Sequence, residues 1–344
     1  MAEKKIPLVV VVGTRPEAIK LVPLILALRK SESFRPVIVS TGQHHEMVAE
    51  ILELAEITAD ADLWIGDYRS RLNARVGEAL ERFEDFCAGT FGDHRGEVAS
   101  ADEVEAGEYP GAVLVHGDTS SAFAAALASF HLRIPVCHVE AGLRTGSNLS
   151  PFPEELNREL ISKIASLHLA PTRFNQENLV RENIPLNRVY VTGNTAVDAM
   201  EWAAGLEVPF KSPEVQRVYD SDARVVVITA HRRENWGGGL GRIAQGVATV
   251  AESHPDVHFV VPVHPNPRVH EELTPALEGR DNVLLTEPMG YAGFARLLAR
   301  CAFAITDSGG IQEEAPALGK PVLVARESTE RVEGVRAGTL KLVG

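Results

Sequence analysis

The sequence predicts an α/β protein of two Rossmann-like, doubly wound domains facing a central cleft. Three observations predict it. Short β-branched runs alternate with helix-forming segments in both halves of the chain. Nearly every run ends in a cluster of glycine, polar and charged residues, as strands do where a parallel sheet meets its ligand. At 344 residues the chain has room for two ordinary cores. The expected division is 1–188, a domain rich in acid/base residues, and 189–344, a domain rich in phosphate-binding features. No sequence repeat underlies this architectural one.

The elements follow in order. Residues 6–12 form a continuous apolar run suited to a strand buried on both faces. Gly13-Thr14-Arg15-Pro16-Glu17 then opens a helix, with Pro16 at its first position. Arg15 and Lys20 fall at or within its first turn, where basic groups oppose the helix dipole unless an anion joins them. This turn lacks the GxGxxG pattern, so no nicotinamide fingerprint is present. Residues 36–40 form the next strand, followed by Gln43, His44 and His45, read as a loop. The segment 78–108 is strongly acidic; its first part suits a helix, and 88–111 reads as an exposed, mobile insertion. Residues 113–115 and 134–136 are strands joined by an alanine-rich helix, 120–130. A helix over 154–165 and strands over 167–170 and 189–192 follow. The second series has strands at 225–229, 258–263, 283–285, 302–306 and 321–325, with a helix from Leu240.

Composition narrows the function. A net charge of −13 disfavours a nucleic-acid or anionic-membrane partner. The three cysteines, Cys87, Cys137 and Cys301, are scattered and form no CxxC pair. No apolar run reaches membrane-spanning length, and the start MAEKKIP lacks a signal peptide's apolar core. The expectation is a cytoplasmic protein without a metal or cofactor.

Two strand ends carry the acid/base chemistry. His116-Gly-Asp118-Thr119 and His138-Val-Glu140 end neighbouring runs, and Pro153-Glu154-Glu155 arrives on the following loop. The His-x-acid pairs would suit a divalent metal instead only if each strand stayed extended through the pair, and Gly117 argues against that. In the second half, Ser308-Gly309-Gly310 makes a small-residue turn opening a helix, where N–H groups can approach phosphate oxygens. Glu313 and Glu314 follow, and one carboxylate there can hold a ribose; an ordinary cap with acidic first-turn residues would by itself explain Asp307 and Glu313. His231-Arg232-Arg233 and Arg331 add cationic groups past strand ends, fitting a diphosphate.

The motifs GTRPEAIKLVPL, HGDT, HVEAGLRTG, SPFPEELNR, TGNTAVDA, HRREN, PVHPNP, TDSGGIQEEAPALGKPVLV and TERVEG occur in this order over nearly the whole chain. Together they resemble the non-hydrolysing UDP-N-acetylglucosamine 2-epimerases. The resemblance implies a glycosyltransferase-B-like fold, interconversion of UDP-N-acetylglucosamine and UDP-N-acetylmannosamine, and a homodimer. By motif position, Asp118, Glu140, Glu154 and His231 match the family's catalytic set. Arg15, Lys20, Phe294, Ser308, Gly309, Gly310, Glu314 and Arg331 match its UDP-binding set. Gln43, Arg232 and His264 resemble part of a regulatory site, where many bacterial members bind a second UDP-N-acetylglucosamine as activator. Three departures stand out: the acidic insertion, Met289 where some members carry a polar residue, and a chain expected to stop before the usual C-terminal helical segment.

The chemistry fits these residues. The hydrogen on sugar C2 is not next to a carbonyl, so a base alone cannot readily remove it. Breaking the C1–O bond gives the ring oxocarbenium character, which nearby carboxylates stabilise while one takes the C2 proton. A glycal then waits for UDP and a proton to return, the proton on the opposite face. The alternative is a glycosyltransferase of the same fold, which would transfer to an acceptor and show no exchange at C2 without one.

Overall fold

The computed structural model describes residues 5–65, 71–93, 97–329 and 331–344. They form two compact units, Met1–Thr195 and Ala196–Gly344. The first contains β1 (Ile6–Val12), α1 (Arg15–Lys30), β2 (Phe34–Ser40), α2 (His45–Leu54), β3 (Ala61–Asp62), α3 (Leu72–Phe91) and α4 (Ala101–Glu105). It continues with β4 (Ala112–His116), α5 (Ser120–His131), β5 (Val136–Val139), α6 (Glu154–Ile164), β6 (Leu167–Ala170), α7 (Arg173–Arg181) and β7 (Val189–Val191). Its strands pair in parallel in the order β3-β2-β1-β4-β5-β6-β7. The order reverses between β1 and β4, the place where a doubly wound sheet opens a crevice beyond its strand ends.

The second unit is built from α8 (Thr195–Ala204), α9 (Pro213–Asp220), β8 (Arg224–Thr229), α10 (Gly239–Ser253), β9 (Val257–Pro262), α11 (Pro267–Leu273) and β10 (Val283–Thr286). Then come α12 (Tyr291–Arg300), β11 (Phe303–Thr306), α13 (Ile311–Ala317), β12 (Val322–Val324), α14 (Val332–Ala337) and β13 (Leu340–Leu342). Its order, β10-β9-β8-β11-β12-β13, reverses between β8 and β11. β1 is apolar throughout and mostly buried, and residues 225–228 of β8 are apolar and buried, as sheets covered on both faces require.

Several elements differ from expectation. The 189–191 strand pairs with β6 and completes the first sheet, so the unit boundary falls after it rather than before it. α1 begins at Arg15, which puts Pro16 second and Lys20 in the second turn. β4 and β5 run on through His116 and His138, so both histidines are sheet residues, 4% and 0% exposed. The acidic insertion is only partly open: α3 continues to Phe91, and Phe91 and Tyr109 pack edge-on in the first core. The rest of that expectation, over 94–96, lies outside the described residues, as does Glu330 of the TERVEG motif. Met289 packs against the second core. Gly142, just past β5, has φ +91, and a Cβ there would lie 2.3 Å from the Asn175 carbonyl oxygen, so glycine is required.

Candidate active site

In the first unit, the ends of β4 and β5 bring acids and bases together. Glu140 stands one residue past β5 with φ +63. The Lys20 ammonium, reaching across from α1, bonds its Oε1, and His116 Nε2 lies 3.7 Å from its Oε2. Burial opposes the charge of Glu140, but the His116 ring and Lys20 outweigh it and hold the carboxyl below its usual range. His116 itself is pushed down to about 4, chiefly by burial. His138, also buried, falls to about 3 while its Nε2 bonds the Gly117 carbonyl at 2.7 Å.

Asp118 has a different environment. Burial pushes its carboxyl up, Arg158 opposes that, and Glu140 and Glu154 add to it. Arg158 Nη2 bonds Asp118 Oδ2, and Asn157 Nδ2 donates to the Asp118 carbonyl at 2.9 Å. Arg158 Nη1 also lies 3.4 Å from the fully buried Glu155. Glu155 Oε1 accepts the Thr145 and Gly146 N–H groups at 2.6 and 3.0 Å, fixing the loop before α6. Of the two adjacent acids, Glu155 is thus structural, and Glu154 heads α6, half-buried, with its charge felt by Asp118.

At the β1 end, Arg15 is half-buried and its Nε has no hydrogen-bond partner among the described residues. Gln43, in the turn after β2, accepts from Ser121 Oγ at 2.6 Å.

In the second unit, the strand ends are organised around Asp307, fully buried just past β11. Its carboxylate accepts the His231 N–H at 3.0 Å, the Arg232 N–H at 2.8 Å and Asn235 Nδ2 at 2.9 Å. The His231 ring stacks on His264, with centroids 5.3 Å apart. Burial lowers the His231 pKa, Asp307 works against that, and His264 and Arg232 reinforce it. Ser308 N–H donates to Thr306 Oγ1 at 2.9 Å, which shapes the SGG turn. Arg331 lies over that turn: a Cβ on Gly309 would come 3.2 Å from its guanidinium. Its Nη2 pairs with Glu313 at 2.8 Å. Glu314 sits beside Gly310, and with burial it raises the Tyr291 hydroxyl pKa. Phe294, on α12, packs half-buried against the second core.

The sequence model of the UDP-N-acetylglucosamine 2-epimerase family matches residues 96–344. A Yersinia pestis UDP-N-acetylglucosamine 2-epimerase is 43% identical over 343 residues, covering 97% of this chain and 85% of the relative. The chain belongs to the UDP-N-acetylglucosamine 2-epimerase family. Among solved structures, the Neisseria meningitidis UDP-GlcNAc 2-epimerase, bound to UDP-GlcNAc, is 41% identical with a TM-score of 0.75, covering 98% of this chain and 87% of that one. The Methanocaldococcus jannaschii UDP-GlcNAc 2-epimerase is 31% identical with a TM-score of 0.81, covering 98% and 89%. The fold of this family member is therefore the expected glycosyltransferase-B-like pair of Rossmann-like domains.

Within each unit the expected site residues fall past the carboxyl ends of strands or on the helices that follow them. Among the described residues, no group of three or more His, Cys, Asp and Glu side chains is placed to hold a metal ion. Within their own units, three residues given no site role by the sequence organise these strand ends: Arg158, which pairs with Asp118, and Asp307 and Glu17, which fix turns. Two of them leave a local signal: Arg158 by its i+3 spacing from Glu155 at a helix start, and Glu17 by its i+3 spacing from Thr14, a capping box.

Proposed function

We propose that the chain interconverts UDP-N-acetylglucosamine and UDP-N-acetylmannosamine by inverting C2, as a non-hydrolysing isomerase. The C1–O bond breaks and UDP departs with the bonding electrons; C2 loses its proton, leaving a 2-acetamidoglycal. UDP then adds back at C1, and a proton is delivered to the opposite face of C2. The observation that carries this reading is the 43% identity, over 97% of the chain, to the Yersinia pestis enzyme.

The local chemistry supports the division of roles. Glu140, kept ionised by Lys20, suits stabilisation of positive charge at the sugar ring. Asp118, its pKa raised by burial yet tied to Arg158, suits proton exchange, with Glu154 and His231 as the other acid/base candidates. Ser308, Gly309, Gly310 and Arg331 are the groups for the UDP phosphates, together with Arg15. Lys20 would serve the same anion while partnering Glu140, and Phe294 and Glu314 would contact the nucleoside. The same reading includes a homodimer, a cytoplasmic location, and activation by a second UDP-N-acetylglucosamine through Gln43, Arg232 and His264.

The test is proton NMR of the chain with UDP-N-acetylglucosamine in deuterated water, with no metal or nicotinamide added. The expected result is a UDP-N-acetylmannosamine signal carrying deuterium at C2. Unchanged substrate with binding retained, or transfer only on adding an acceptor, would overturn the proposal.

A further inference from the structure

Glu17 lies in the first turn of α1 and is only 3% exposed. Its Oε2 accepts the backbone N–H groups of Gly13 at 3.0 Å and Thr14 at 2.6 Å, closing a capping box with Thr14. Its Oε1 accepts from Thr119 Oγ1 at 2.7 Å, and this bond is not local, since the two residues are 102 positions apart. Thr119 is the N-cap of α5 and follows Asp118 directly; its Oγ1 in turn accepts the Ala122 N–H at 3.1 Å. One carboxylate thereby ties the turn leading to Arg15 to the turn carrying Asp118. A helix cap needs only the local bonds. The surroundings are closed as well, because a Cβ on Gly13 would lie 2.6 Å from Ser121 Cβ and 3.0 Å from Glu17 Oε2.

We infer that Glu17 is a positioning residue for the reaction: its carboxylate latches the turn after β4, and so Asp118, to the turn after β1, and so Arg15. The inference rests on the roles proposed above for those two residues.

The latch has a direction. Glu17 is the acceptor in all three of its bonds, to Gly13, Thr14 and Thr119, so the latched state is the carboxylate. Protonation makes one oxygen a donor, and the Thr119 hydroxyl then has to turn away to receive it. Burial, opposed by hydrogen bonds from Thr119, Thr14 and Gly13, raises Glu17 to about 7. Ionisable groups on the surrounding elements are Arg15 and Lys20 on α1, Asp118 after β4, and His44, whose N–H donates to the Gly13 carbonyl. Because the pKa is raised on folding, the stability Glu17 contributes is greatest below 4.5 and is lost as pH rises through about 7. The latched carboxylate is therefore held at some expense of stability, which an ordinary cap would not require.

The test compares the wild type with Glu17→Gln, an isostere of the protonated acid, by initial epimerisation rates from acid to alkaline pH and by thermal melting. The wild-type kcat should fall on the acid side with a midpoint near 7. E17Q should lose that limb, and at alkaline pH turn over about tenfold more slowly with little change in KM, as a small misplacement of a reacting group does. It should nevertheless melt no lower than the wild type there, whereas loss of a purely structural cap would lower both. T119V should reproduce the loss, T119S should recover most of it, and E17Q/T119V should be no worse than the poorer single variant. If E17Q fails to fold, the T119V–T119S difference reads the same latch. Unchanged rates and pH profile in E17Q, or equal rates in T119V and T119S, would overturn the inference alone. A wild type with no epimerisation would overturn it together with the functional reading.

Discussion

In the first sheet Asp118 and Glu140 are held by cationic side chains, whereas in the second sheet Asp307 is held chiefly by backbone. Asp118 meets Arg158 and Glu140 meets Lys20, each partner on a long, rotatable stem and partly exposed. Asp307 meets the His231 and Arg232 N–H groups and is fully buried. A side-chain ion pair can open when a ligand offers a better partner, and its charges remain available to a reacting atom. A carboxylate neutralised by backbone N–H groups cannot reach a ligand at all; it fixes where its neighbours point. Two similar α/β units thus use aspartate at their strand ends for opposite purposes.

Conservative amides should break the comparison most sharply. D118N and E140Q are each expected to lower kcat about 1,000-fold, the scale of losing a positioned acid/base group, with folding preserved. Steady-state NMR assays beside circular dichroism check both halves of that statement. Asp307 should behave the other way round. D307A leaves two backbone donors and the Asn235 amide without their acceptor, at a cost of roughly 4 kcal/mol. Urea unfolding should register it as a lower midpoint, and D307N should also destabilise where D118N does not. Equal stability of D118N and D307N would remove the distinction.

Much of this architecture can be read from local pattern. β1 and β8 are built on β-branched runs, residues 9–12 and 225–229, and each is followed by the glycine or polar cluster that ends a parallel strand. Asp118 and Glu140 were placed at strand ends on that basis alone. What escaped is short or distant. β3 has two residues and β13 three, too few for any periodicity, and each exists because a neighbouring strand offers a ladder. β7 gave no sign of which sheet it joins, since pairing with β6 is decided by tertiary contact. The partners Arg158 and Asp118 are 40 residues apart, and Asp307 and His231 are 76 apart. No spacing rule links such pairs. The burial of His116 and His138 likewise follows from β4 running one residue and β5 three residues beyond the expected apolar runs, β4 stopping at His116 as Gly117 implies.

Within the first unit the buried ionisable groups also oppose one another. His116 and His138 are kept neutral by burial, at about 4 and about 3, below the ordinary value of 6.5. An unfolded chain takes up protons that the folded one refuses, so their contribution is full above 6.5 and is lost as pH falls toward 4. Glu17 is raised to about 7, so its contribution runs the other way and grows as pH falls from 7 toward 4.5. Between neutral pH and 5 the two trends partly cancel. Replacing Glu17 with Gln removes one side of the balance, and the histidines then act alone. Amide hydrogen exchange in β4 and β5, corrected for intrinsic rates, should show E17Q losing roughly 2 kcal/mol more protection than the wild type over that interval. In the second sheet, β8 and β11 should show no such difference between the two proteins. Parallel pH profiles for wild type and E17Q in β4 and β5 would mean that Glu17 does not offset the histidines.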